Sequence, residues 1–152
     1  MDTLIGRKLV KVERLGWYEA GDLDDFSVGP VHLVFEGGHG MFLAGRSDWS
    51  LECVETAPAD SAWLDAYDYD WSGSRWRLRD ASSESPFAAV IAKPLVEWEQ
   101  VRNEVDEVIG LNLNFGGQTL ALQTWEGEVT TSSVNARAIG DRCGIRRNRA
   151  EP

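Results

Sequence analysis

The chain has 152 residues, 43% hydrophobic and 26% charged, which suits one globular domain with its own core and excludes a fibrous or low-complexity chain. Fifteen Lys and Arg against 25 Asp and Glu give a net charge of −10, which disfavours nucleic acid and favours a basic protein partner. No apolar run approaches the ~20 residues of a membrane span. Residues 1–8 also lack the basic-then-apolar order of a secretory signal, so a cytoplasmic protein with no membrane contact is expected.

The first strand is expected at Leu9–Tyr18, where β-branched and aromatic residues mix, before the polar break at 19–25. Asp22, Asp24 and Asp25 in that break read as a solvated loop. Pro30–Glu36 alternates Val31, Leu33 and Phe35 on one face with His32, Val34 and Glu36 on the other. Gly37-Gly38 then supplies the positive φ that a tight hairpin needs, Met41–Ala44 returns, and Trp49–Val54 makes a fourth strand.

A second set follows after residue 90. Leu95–Val101, Val108–Phe115, Thr119–Trp125 and Glu128–Thr131 read as four more strands, with Gly116-Gly117 at the tight turn. Ile5-Gly6-Arg7-Lys8-Leu9-Val10 matches Ile91-Ala92-Lys93-Pro94-Leu95-Val96, 86 positions on, and Leu33 onward matches Leu113 onward, 80 positions on. Such a repeat predicts one supersecondary unit built twice. A competing reading makes 95–108 an amphipathic helix, since Leu95, Trp98, Val101, Val105 and Val108 also recur at helical spacing. The fold class expected is mainly β: two pseudo-repeated antiparallel four-stranded units forming a sandwich or a barrel, with at most one short helix. The copies span about 4–55 and 90–131, with an insertion at 56–87, making a single β domain over 1–131. Residues 132–152 carry five Arg against two acids, a local +3 that leaves −13 on the rest, and read as a flexible Arg-rich tail.

The insertion carries a possible short helix at Pro58–Tyr67 and the densest mixture of rings and carboxylates. Asp65, Tyr67, Asp68, Tyr69, Asp70 and Trp71 are the candidate partner-binding residues, because aromatic anchors beside charge are what contact hot spots are made of. Asp68-Tyr69-Asp70-Trp71-Ser72-Gly73 also opens like a calcium loop, but Arg79 stands where the bidentate Glu belongs, so no metal is assigned. Cys53 and Cys143 form no metal-binding or redox motif, and no cofactor is assigned. His32 and His39 are the only histidines, without a neighbouring nucleophile in sequence, and no catalytic residue is assigned.

The second copy, from Val96-Glu97-Trp98-Glu99 through Asn103-Glu104-Val105 to Thr124-Trp125-Glu126-Gly127-Glu128, resembles small uncharacterised bacterial proteins built of two similar β-rich halves. Size, acidity and missing catalytic motifs are shared with immunity proteins, which cover a toxin's basic active site. The expectation is a non-enzymatic acidic binding protein, of immunity type, that neutralises a basic toxin. The alternative is a β-domain that binds a small ligand between its two halves.

Overall fold

A computed structural model of the chain describes residues 2–19, 22–23, 29–68, 70–125, 128–135 and 145–149. Its strands in chain order are β1 (Leu9–Glu19), β2 (Asp22–Leu23), β3 (Val31–Phe35), β4 (Gly40–Gly45), β5 (Leu51–Thr56) and β6 (Asp70–Trp71). They continue with β7 (Ser74–Asp80), β8 (Glu97–Arg102), β9 (Val108–Asn114), β10 (Gln118–Trp125), β11 (Glu128–Asn135) and β12 (Ile145–Arg149). Helical structure among the described residues is confined to short 3₁₀ turns, the longest at Ala62–Tyr67. The segment 95–108 is therefore strand and hairpin: the alternation of Ile109, Leu111 and Leu113 in β9, which pairs with β8, prevails over the helical spacing that spans their turn.

The strands make two antiparallel sheets, ordered β5-β4-β3-β1-β7-β6 (with β2 on β1) and β11-β10-β9-β8-β12. Neither sheet closes on itself, so the architecture is a sandwich. The two meanders share one register. Val12 faces Leu33 and Arg14 faces Val31 between β1 and β3, and Trp98 faces Leu113 and Gln100 faces Leu111 between β8 and β9. Adding 86 to the first strand and 80 to the second converts one pairing into the other. Each later hairpin in the second copy is one residue tighter. Leu33↔Met41 answers to Leu113↔Leu120, and Leu43↔Cys53 answers to Leu122↔Thr131.

The copies meet through their opening segments. Gly6 donates its N–H to the Leu95 carbonyl at 2.7 Å, and Ala92 donates to the Leu9 carbonyl at 2.7 Å. Leu9 donates to Lys93 at 3.1 Å, and Leu95 donates to Arg7 at 3.0 Å. Each bond is the 86-residue image of its partner, so the contact is self-complementary. Gly6 and Ala92 both take positive φ (84° and 69°) at the same corner. Phe35 and Phe115 stack nearly parallel across the sandwich, centroids 6.4 Å apart, within one core that also holds Leu9, Leu33, Leu95, Leu113 and Leu120.

Arg14 and Glu99 are charged side chains buried among the described residues. Arg14, 2% exposed, reaches from β1 to the Val129 carbonyl of β11 and, at 3.4 Å, to the Thr131 hydroxyl. Its strand neighbour Arg79 holds Glu84 in a fork at 2.6 and 2.8 Å, which keeps that carboxyl below its usual range with help from Arg14.

Two assignments read from the sequence differ here. The 56–87 insertion contains β7, a seven-residue strand on β1, and β7 has a counterpart in β12, which flanks β8 in the same way. Residues 132–135 continue β11, and 145–149 form β12, so part of the stretch read as a tail is sheet. The polar composition of β12, which pairs with β8 in antiparallel register, hides the strand.

Removing either stacked ring leaves a cavity at the centre of the core. Phe35→Ala and Phe115→Ala are each expected to lower unfolding free energy by about 3–5 kcal/mol, measured by urea denaturation. A loss below ~1 kcal/mol at one of them would mean that the two positions are not equivalent supports.

Candidate functional site

The outer face of the first sheet is covered by the 3₁₀ turn Ala62–Tyr67. Trp63 lies on His32 (centroids 4.4 Å) and Phe42 (4.9 Å), while Tyr67 sets its edge on Phe42 (5.9 Å) and on Trp76 (5.5 Å). Of the predicted site's aromatics Tyr67 packs on its own sheet beside Trp63, and Asp65 and Asp68 stay exposed on a platform fixed by those two rings. Asp70 and Trp71 belong to β6, where Asp70 faces Arg75 across a hairpin turned by Ser72 and Gly73 at φ 53° and 89°. The calcium-like opening is thus a two-residue hairpin turn, and its Arg79 is engaged with Glu84. Tyr69, Asp24 and Asp25 lie outside the described residues; Asp22 pairs with Glu19 in β2.

Beneath Trp63 the fold assembles a constellation that sequence spacing conceals. Glu13 Oε1 lies 3.0 Å from His32 Nδ1, and His32 Nε2 lies 2.9 Å from the Thr56 hydroxyl. Glu13 and His32 are cross-strand partners, which is the signal that could have joined them. The order hydroxyl–imidazole–carboxylate matches a nucleophile triad. Yet Thr56 is 5% and His32 7% exposed, and the indole roofs the ring, so a substrate carbonyl has no path to the hydroxyl. Gly40 makes room for the network: a Cβ there would stand 2.7 Å from Thr56 Oγ1 and 2.9 Å from His32 Nε2. The arrangement is a satisfied buried polar network that locks β1, β3 and β5 together.

An open cleft of about 300 Å³ lies at the seam of the two copies, at the lower edge of the size range of small-molecule sites. Arg46, Asp48, Ser50, Leu51 and Cys53 line it from the first copy, and Gln100, Glu107 and Val108 from the second. The β4–β5 hairpin closes through Arg46 N–H to the Ser50 carbonyl and Trp49 N–H to the Arg46 carbonyl, both at 2.9 Å. Its tip residue Trp49 is 61% exposed and held at φ 68°, a conformation that a bulky residue adopts rarely. The Thr124 hydroxyl anchors this tip to the second sheet, 2.8 Å from the Trp49 carbonyl and 3.2 Å from that of Ile109. The β8–β9 hairpin carries Asp106 at φ 66° and Val105 at 68% exposure.

The lining chemistry is mixed. The Ser50 hydroxyl (2.6 Å) and amide (3.0 Å) both bond Asp48 Oδ1 and hold that carboxyl below its ordinary range, with Arg46 adding to the effect. Arg46 itself pairs with Glu52 at 3.5 Å. Asn103 orients Glu107 by donating to Oε1 at 3.2 Å, and Gln100 Oε1 accepts from Arg102 at 2.7 Å. Burial pushes the Cys53 thiol up to about 12. No residue of this cleft was singled out as a binding residue by sequence, because it is assembled from four strand ends far apart in the chain. Comparison with protein-family models, curated proteins and solved structures finds no match.

A thiol with so high a pKa is almost wholly protonated at pH 8, about one part in ten thousand thiolate. In a Cys143→Ser background, iodoacetamide at pH 8 is expected to alkylate Cys53 more than roughly a hundredfold more slowly than free cysteine. Since folding raises this pKa from 9.0 to about 12, the stability it contributes is complete below pH 9 and fades as pH climbs towards 12. Alkylation at the free-cysteine rate would show the thiol to be solvated.

Proposed function

We propose that the chain is a binding protein that takes a small polar ligand in the cleft between its two halves. The single observation carrying this reading is the cleft itself, which has donors, carboxylates and apolar walls from both copies at one end of the sandwich. The rest of that end supports it: the two hairpins expose the large apolar side chains of Trp49 and Val105 beside the cleft. The test is a panel of small cationic, anionic and neutral polar compounds followed by backbone NMR. Binders should shift amides in 46–53, 100 and 107–108, and Glu107→Arg, which fills the cleft with a side chain that pairs with Asp48, should abolish the shifts. Binding that persists in Glu107→Arg would remove the cleft as the seat.

A second reading, an immunity-type protein that covers a basic toxin in the cytoplasm, is supported by the 3₁₀ platform. Trp63 and Tyr67 anchor it to the sheet, so the exposed Asp65 and Asp68 are ordered before binding, which lowers the entropic cost of a contact. With the net charge of −10, they would speed encounter with a basic surface. A partner recovered from the native cell is expected to associate several-fold more slowly with Asp65→Asn/Asp68→Asn at low salt, with the difference vanishing near 0.5 M salt. Equal association rates for the wild type and the double variant at low salt would dispose of the platform.

A further inference from the structure

We infer that the ligand of the inter-sheet cleft is an organic cation: an ammonium or guanidinium group on a short aliphatic stem. This rests on the cleft reading above and adds the ligand's chemistry. Two carboxylates line the space, and each has spare capacity. Asp48 takes both Ser50 bonds on Oδ1, and Glu107 takes the Asn103 bond on Oε1, so Asp48 Oδ2 and Glu107 Oε2 are the unused acceptors. The only cationic side chain in the lining, Arg46, is balanced by Glu52 at 3.5 Å. Ser50, with Arg46 adding to the effect, holds the Asp48 carboxyl below its ordinary range, so the lining sets two carboxylates against the single guanidinium of Arg46.

The walls suit the stem. Leu51, Val108 and the neutral thiol of Cys53 provide apolar surface, while Gln100 spends its carbonyl on Arg102. An anionic ligand would meet Asp48 and Glu107 with one already paired arginine to offset them. A neutral polyol would leave both charges uncompensated. Trp49 lies between the lining residues Asp48 and Ser50 and is exposed, and indole is the best aromatic partner for a cation. A cation from either of two sources satisfies this chemistry: a free amine, or an arginine or lysine side chain presented by a protein.

The experiment uses agmatine as the free amine and acetyl-Gly-Arg-Gly-amide as the side-chain mimic, titrated into the full chain by NMR. Both should shift residues 46–53 and 107–108 while succinate and methyl glucoside do not. Tighter binding of agmatine assigns a small metabolite, and tighter binding of the peptide assigns a protein side chain. Asp48→Asn and Glu107→Gln should each weaken the preferred cation roughly tenfold, the usual loss for a charge-assisted contact. Asp65→Asn, on the distant platform, should leave it unchanged. Trp49→Gly should weaken binding several-fold with Tm unchanged or raised, because glycine accepts the left-handed φ without strain; a merely structural role for Trp49 would lower Tm instead. If methyl glucoside or succinate occupies the cleft and the cations do not, the cationic assignment is overturned while the cleft remains a ligand site. If no probe shifts the cleft, or if Asp48→Asn and Glu107→Gln bind the cations as the wild type does, the cationic assignment falls. In the first of those cases the cleft reading falls too.

Discussion

Four main-chain hydrogen bonds between residues 6–9 and 92–95 set the frame on which everything else is built. They come in two pairs related by the repeat offset, so each copy gives the other what it receives. Main-chain bonds of this kind fix distance and direction together, and they start β1 and β8 side by side with their sheets face to face. From that corner the shared register carries the pattern outwards: Phe35 and Phe115 reach the same depth, and their rings stack. A side-chain contact alone would permit sliding. The bridged backbone does not, and a one-residue slip in either meander would turn its core residues to solvent.

The sequence carried this frame because its devices are local. Alternation in 31–35 and 111–115, paired glycines at 37–38 and 116–117, and the Gly6/Ala92 match all act within a few residues. What stayed hidden depends on distant partners. β7 and β12 stay hidden because they pair with strands far off in the chain, β7 with β1, where Trp17 lies opposite Trp76, and β12 with β8. Arg14 reads as an ordinary exposed strand residue until β11 supplies a carbonyl inside the sandwich. The segment 65–71 stood out in sequence because rings and acids alternate there. The fold sorts them, packing Trp63 and Tyr67 down and leaving Asp65 and Asp68 out.

The two outer faces show how the copies have diverged at equivalent positions. Glu13 opposite His32 becomes Glu99 opposite Asn112. The first pair continues to Thr56 across the space that Gly40 leaves open. In the second copy Thr119 stands at the Gly40 position and Val134 at the Thr56 position, so the third partner is gone. Asn112 bonds Glu99 directly at 3.1 Å, and the Thr119 hydroxyl is buried without a partner. A triad present in one copy and dismantled in the other, with both versions buried, is consistent with alternative solutions to the same packing problem.

Divergence of another kind collects at the cleft. Its hairpins differ in length between the copies, as the β3–β4 and β9–β10 hairpins also do. β4 and β5 are joined through Trp49, where β10 and β11 close over two residues, and β8–β9 is shorter than the β1–β3 connection. These hairpins also carry Trp49 and Asp106 at positive φ, beside the two most exposed large apolar side chains, Trp49 and Val105. At the Gly6/Ala92 corner, positive φ is explained by the bonds that the corner makes, and at Gly37 and Gly116 by the turns. At Trp49 the turn closes through its N–H on the Arg46 carbonyl and the tip is tied to the second sheet by Thr124, while the ring itself stays mostly in water. Both copies contribute donors, carboxylates and apolar walls to the cavity beside these hairpins, which is the physical reason to test ligands there before the acidic segment that the sequence brings forward.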